Sequence, residues 1–178
     1  MSVPPHSKCF VTGATNPTSI GFVTAQTLLK AGASHVAVMG RDQAKLDHAV
    51  SLLNKVSATA KVSGVLGDLR QPETMAKAVE DAATQMGGSG IDILVVSGGN
   101  GYSEYLGLDP NDLESYRLMQ NVGVLSPMFL AEAAFPYLSN SSNEKGGTVV
   151  MIGSVSGKHA LLCRLLPLTL RAGMILQY

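Results

Sequence analysis

Tryptophan is absent from this chain, cysteine occurs only twice, and aromatic residues make up 5% of its 178 positions. Cys9 and Cys163 lie in apolar settings without a Cys-x-x-Cys partner, so no disulfide framework of the kind that holds small secreted domains together is available. The four histidines do not fall at metal-ligand spacing, which leaves no metal to expect. An excess of either charge is also lacking. Thirteen Lys and Arg balance thirteen Asp and Glu, so nothing marks the chain for nucleic acid or an acidic membrane surface. No stretch reaches the ~18 uninterrupted apolar residues of a membrane span. The segment Met1 to Lys8, with two prolines, has no apolar core of a secretion signal. Internal repeats and low-complexity linkers are missing as well. These absences point to a reduced, cytoplasmic protein that acts on a small molecule.

What is present is a hydrophobic content of 46%, enough for one substantial core in a chain of this length. Short branched apolar runs alternate with longer segments of helical period, the pattern of βα units around a parallel sheet. Cys9 to Thr12 reads as a strand, followed by a helix over Ser19 to Ala31 in which Ile20, Val23 and Thr27 share a face and Gly32 is the stop. His35 to Met39 is a second strand. Asp42 can cap a helix carrying Leu46, Val50 and Leu53, and Lys61 to Leu66 is a third strand. Pro72 opens a helix with a stripe of Met75, Val79, Ala82 and Met86, closed by Gly87 to Gly90. Ile91 to Val96 is almost wholly apolar, as expected of a strand covered on both faces. A long helical stretch, Asn111 to Leu138, and a polar loop, Ser139 to Gly147, lead to a fifth strand at Thr148 to Ile152. The right-handed crossover rule orders these units as a doubly wound α/β sheet of Rossmann type, about five strands wide, with its ligand crevice at the strand C-terminal ends.

The chemistry-bearing residues gather at that crevice. Thr12, Gly13, Ser19, Ile20 and Gly21 follow the first strand and open the first helix. There, backbone N–H groups and the helix dipole can hold a pyrophosphate without any charged side chain. A glycine-rich turn alone is weak, because glycine also serves ordinary turns; the strand-turn-helix context favours a dinucleotide.

At these residues the chain resembles the short-chain dehydrogenase/reductase family, in which Thr-Gly opens the cofactor loop and a Gly or Ser followed by Ile-Gly closes it. Five residues separate Gly13 from Ser19, a longer loop that looks like the variant of the enoyl-reductase branch. The resemblance continues through Asp68, with Leu69 beside it, as the family's adenine-contacting site after strand three. Ser97-Gly98-Gly99 stands where most members have Asn-Ala-Gly. By the same resemblance Asn121 is the active-site Asn of the long helix and Ser154 the catalytic Ser; their bland alternatives are a helix-bend residue and the first residue of a loop. The family transfers hydride between a nicotinamide and a carbonyl carbon or a related double bond, with a Tyr moving the proton and a Lys lowering its pKa. Full members often pair through the long helix, which implies a homo-oligomer through the region of Asn121.

Cofactor choice is argued at the end of strand two, where an acidic residue binds the adenine ribose and repels a 2'-phosphate. Here the residues are Gly40 and Arg41, with Asp42 two positions late. A guanidinium without a preceding carboxylate favours NADP(H) over NAD(H); the alternative is that Arg41 is only a solvated charge.

The Tyr-x-x-x-Lys pair is missing. Where the family pattern calls for Tyr and Lys the chain has Pro167 and Arg171, and no Lys follows Lys158. Tyr178 ends the chain, and Tyr102, Tyr105, Tyr116 and Tyr137 come too early. The segment from Ala160 to Tyr178 is dense in Leu, broken by Pro167 and Gly173, and matches no element of the family. The expectation is therefore a dinucleotide-binding domain over residues 1–157 and an atypical tail over 158–178. On that expectation the chain is a shortened or frameshifted product whose sheet ends at strand five, with an apolar edge unless the tail covers it or packs on another subunit. Two functions stay open: an oxidoreductase with an impaired catalytic half, and a non-catalytic dinucleotide-binding or partner-binding protein. The small-molecule substrate is unknown.

Overall fold

The computed structural model describes residues 3–88, 90–98, 113–141, 146–153 and 175–177, without the side chains of 115, 116 and 175–177. Strands β1 (Lys8–Thr12), β2 (His35–Gly40), β3 (Lys61–Leu66), β4 (Ile93–Val96) and β5 (Thr148–Met151) pair in parallel. Helices α1 (Ile20–Lys30), α2 (Gln43–Leu53) and α3 (Pro72–Gln85) connect the first four. Before β5, α4 (Leu113–Gln120) runs through a π-helical turn at Asn121–Leu125 into α5 (Ser126–Ser139). The strand order, β3-β2-β1-β4-β5, reverses direction between β1 and β4. That is where a doubly wound sheet opens its crevice.

The two faces of the sheet follow from the two-residue period of its strands. Phe10, Ala37, Met39, Leu94 and Val96 point to the face covered by α3 and α5, where they meet Met75, Val79 and Leu130. Their neighbours Cys9, Val11, Val36, Val38 and Val95 point to the other face and meet Phe22, Leu29 and Leu46 from α1 and α2. Cys9 is fully buried there, and burial pushes its thiol up to about 12. It is a small core hydrophobe rather than a nucleophile.

The glycine stops act as expected. At the end of α1, Gly32 takes φ +97° while Ala33 N–H donates to Leu28 O; at the end of α3, Gly87 takes φ +89° while Gly88 N–H donates to Ala83 O. Both satisfy orphan helix carbonyls through a left-handed residue. The predicted face of α1 is different in the structure. Ile20 and Val23 are exposed, and Phe22, Ala25, Leu28 and Leu29 form the buried stripe. An apolar residue at every turn made both faces legible as core, and the larger stripe wins the sheet.

At the N-terminal ends of the strands, the buried Asp92 ties three elements together. Its carboxylate accepts from Lys8 N–H (2.7 Å) and Ser141 Oγ (2.6 Å), and its carbonyl accepts from Thr148 N–H. The sheet does not end at β5, and the alternative of a tail lying on that edge holds for three residues: β6 (Ile175–Gln177) pairs with β5 antiparallel, with Val149 opposite Leu176. The backbone groups of an edge strand invite such pairing, whatever the origin of the added segment. Arg117–Ser139 is apolar and long enough to cross a membrane, with a mean hydropathy of 1.3. In the structure its Leu130, Ala134 and Leu138 are fully buried in the core with α3.

His35, at the start of β2, is buried with Nε2 2.8 Å from Ser63 Oγ. Burial, reinforced by Lys61 and Lys8, lowers its pKa from 6.5 to about 4. The unfolded chain therefore takes up this proton first as pH falls. Stability from His35 is complete above about pH 6.5 and is lost progressively down to about pH 4. Unfolding free energies measured between those limits should fall by on the order of 2 kcal/mol more in the native chain than in His35→Gln, which does not titrate.

Candidate functional site

β1 ends in a turn that the sequence can make only with glycine. Gly13 takes φ +65°, and a Cβ there would sit 2.9 Å from Gly98 N and 3.0 Å from Ser97 C. Backbone therefore lies against backbone where the first turn meets the end of β4. Thr12 secures this junction from below: it is fully buried, and its Oγ1 accepts from Ser97 N–H at 3.1 Å. Ser19 closes the turn as the N-cap of α1, with its Oγ accepting from Phe22 N–H (3.2 Å) and lying within reach of Gly13 O (2.9 Å) and Asn16 O (2.7 Å). Asn16 folds the extra length of the loop upon itself, its Oδ1 accepting from Thr18 N–H at 3.0 Å.

Above this turn lies a cleft of about 290 Å³. Of the residues expected from sequence, Gly13, Ser19, Arg41, Asp68, Leu69, Ser97 and Gly98 line it. Thr12, Ile20 and Gly21 are not among its walls. Thr12 acts through its contact with Ser97, and Ile20 points outward at 61% exposure. Gly21 is buried against the turn's own carbonyls, where a Cβ would lie 2.6 Å from Thr12 O and 2.7 Å from Gly13 O. Its smallness serves the packing of helix on strand. Asn121 is exposed at the start of the π-helical turn, its carbonyl accepting from Ser126 N–H, and the neighbouring Val122 lines the cleft. Gly99, Ser154 and the tyrosines at 102, 105 and 178 lie outside the described residues.

Sequence reasoning missed Thr15, Met39, Gly67 and above all Arg70 as cleft residues. Arg70 Nε approaches both carboxylate oxygens of Asp68, at 3.0 and 2.9 Å, and its Nη2 pairs with Oδ2. The Arg70 backbone N–H also donates to Asp68 Oδ1 at 3.0 Å. The Arg70 hydrogen bonds hold the Asp68 carboxyl below the usual carboxylate range against the opposing effect of burial, and the charge of Arg41 adds to the shift. The two-residue spacing Asp-x-Arg was the available signal, but without the turn geometry it reads as surface charge.

The end of β2 also takes shape. A Cβ on Gly40 would run into the Thr15 methyl group, so a larger residue at that position requires the Thr15 side chain to turn away. Asp42 is committed elsewhere, as the N-cap of α2, with Oδ1 accepting from Lys45 N–H at 3.0 Å. The packing at Gly21 is testable against a glycine whose surroundings are open. Gly21→Ala should lower the unfolding free energy by roughly 1–3 kcal/mol through overpacking. Gly32→Ala, with nothing within 4 Å of the added carbon, should cost only the left-handed conformation, about 1 kcal/mol. Urea unfolding of both variants measures the two costs.

Comparison with known proteins agrees with this geometry. The family described as short chain dehydrogenase matches residues 8–164. The peroxisomal 2,4-dienoyl-CoA reductase of Arabidopsis thaliana is 31% identical over 141 residues, which are 76% of this chain and 45% of that protein. A short chain dehydrogenase from Mycobacterium smegmatis superposes with a TM-score of 0.83 at 23% identity, over 96% of this chain and 66% of its own. A short chain dehydrogenase from Burkholderia cenocepacia J2315, solved in complex with NADP, superposes at 0.73 with 25% identity, over 88% of this chain and 59% of its own. The chain thus spans about half the length of the curated relative and less than two thirds of these solved structures. With the family match running through nearly the whole sequence, from the first strand past the fifth, the chain belongs to the short-chain dehydrogenase family.

Proposed function

We propose that this chain binds NADP(H) as an oxidoreductase of short-chain dehydrogenase type, with its proton-transfer step impaired. The observation that carries the reading is the cleft itself: a glycine turn and a helix N-terminus at one end, and an arginine without a preceding carboxylate at the other. The fit to a dinucleotide can be argued residue by residue. The turn at Gly13 and the first N–H groups of α1 suit a pyrophosphate, because a helix start attracts anions through unsatisfied donors. Leu69, whose side chain lies over Gly98, offers an apolar wall to an adenine. Ser97 Oγ is buried without a hydrogen-bond partner among the described residues, and a ribose hydroxyl is a partner of the right kind. Arg41 suits a 2'-phosphate through its forked donors.

The nicotinamide, when bound, would supply or accept the hydride. Among the chain's own residues, Ser154 would hydrogen-bond the substrate oxygen, and Asn121 would hold a water or a turn near it. Pro167 and Arg171 stand where the family has its Tyr and Lys, so no side chain at those positions passes the proton. The relative that reduces a 2,4-dienoyl-CoA makes conjugated enoyl thioesters the first substrates to try, followed by aldehydes and ketones. The reading includes self-association through the long helix, where Leu125, Met128 and Phe129 expose one apolar face.

Three measurements test this reading. NADPH at about a hundred times its dissociation constant should raise stability by ~2.7 kcal/mol, seen as a melting shift, and no shift would refute the site. Turnover with the substrate panel should be absent or slow; rapid turnover would refute the impairment. By light scattering, Met128→Glu with Phe129→Ser should reduce the molar mass to that of one chain if the helix face is the interface.

A further inference from the structure

Of the residues that line the cleft, three carry charge: Arg41, Asp68 and Arg70. Their pairing is unequal. Arg70 grips the Asp68 carboxylate through Nε and Nη2, while among the described residues Arg41 enters no ion pair. Arg41 lines the same cleft as Asp68, and its charge adds to the lowering of the Asp68 carboxyl. We infer that Arg70 is a determinant of cofactor preference: by neutralising Asp68 it leaves Arg41 free for a 2'-phosphate and removes a carboxylate that would repel one.

The inference rests on the NADP(H) reading above and deepens it. With the Asp68–Arg70 pair formed, the cleft carries one net positive charge, on Arg41. Without Arg70 its charge is zero, and the Asp68 carboxylate stands uncompensated in the cleft that Arg41 also lines. A phosphate entering that site must then face an uncompensated carboxylate. A cofactor with free ribose hydroxyls suffers no such loss, since a carboxylate accepts hydrogen bonds from hydroxyls. Arg70 thus acts on the phosphate through Asp68, as a positioning and charge-masking residue.

Besides the bond from Arg70 N–H to Asp68 Oδ1, which an Asn at 68 can still accept, the turn has anchors outside the pair. Asp68 N–H donates to Thr74 Oγ1 at 2.9 Å, and Thr74 Oγ1 lies 2.8 Å from Gln71 O, which anchor the turn through main-chain groups and Thr74. The side chain of Arg70 is 43% exposed, so its replacement opens no cavity. The charge pattern can therefore be altered without unfolding the loop.

The test is a double-mutant cycle read as a ratio of affinities. Dissociation constants of NADPH and NADH are measured by calorimetry for the native chain, Arg70→Gln, Asp68→Asn and the double variant. Arg70→Gln should lower the preference for NADPH over NADH about tenfold, mainly by weakening NADPH. Adding Asp68→Asn should restore most of that preference, because the charge that Arg70 masks is then gone. A purely structural role for Arg70 would weaken both cofactors alike, leave the ratio unmoved and overturn the inference. So would a double variant that stays as poor in NADPH preference as Arg70→Gln alone. If the native chain bound neither cofactor, the NADP(H) reading itself would fall. Tight NADPH binding with an unchanged ratio in Arg70→Gln would overturn only the role given to Arg70.

Discussion

The contact between the first turn and the end of β4 sets the position of everything else in the cleft. At Gly13 the chain passes so near Ser97 and Gly98 that a single added carbon would lie within about 3 Å of their backbone. Thr12 locks the same junction with a hydrogen bond to Ser97 N–H. The adjacency exists because β1 and β4 are neighbours in the sheet although 80 or so residues lie between them, with Phe10 opposite Leu94. A doubly wound order makes them neighbours, and the reversal of direction at that point leaves the space above them uncovered. The cleft is a consequence of topology before it is a consequence of any side chain.

Much of this was legible in the sequence, for reasons that differ by element. β4 is apolar at every position, Ile-Leu-Val-Val, because both its faces are covered, and such a run in a βα pattern has few other readings. The stripe Met75, Val79, Ala82 and Met86 is buried throughout, since α3 has polar residues on its other side and only one face that can turn inward. α1 lacks that contrast. Ile20 and Val23 compete with Phe22, Leu28 and Leu29, and periodicity alone does not choose between two apolar stripes. That the tail could lie on the edge of β5 was legible, but the place of β6 within it was not: a three-residue segment carries too little pattern, and its existence depends on an open partner, β5.

The candidate site divides along the same line. Glycines whose backbone is constrained announce themselves in sequence, and Gly13 does so through its place between strand and helix. Residues that matter through a partner do not. Arg70 became a cleft residue only when the turn after β3 brought its guanidinium back onto Asp68, two positions before it. Thr12 and Gly21 illustrate the converse. Their sequence positions read as part of a cofactor loop, while their atoms hold the turn and the helix in place from behind the cleft wall.

The charges around the cleft then follow from where carboxylates are already engaged. Asp42 Oδ1 accepts from Lys45 N–H at the start of α2, and position 40 is a glycine packed against the Thr15 side chain. Asp68 is occupied by Arg70. Among the described residues, Asp42 and Asp68 are both engaged by local hydrogen bonds at this end of the sheet, and Arg41 enters no ion pair. Selectivity at such a site is a property of the whole set, because an arginine attracts a phosphate only as far as its neighbouring carboxylates let it. A cleft formed by backbone topology is common to any sheet of this order; what distinguishes this one is which of its acids are already satisfied.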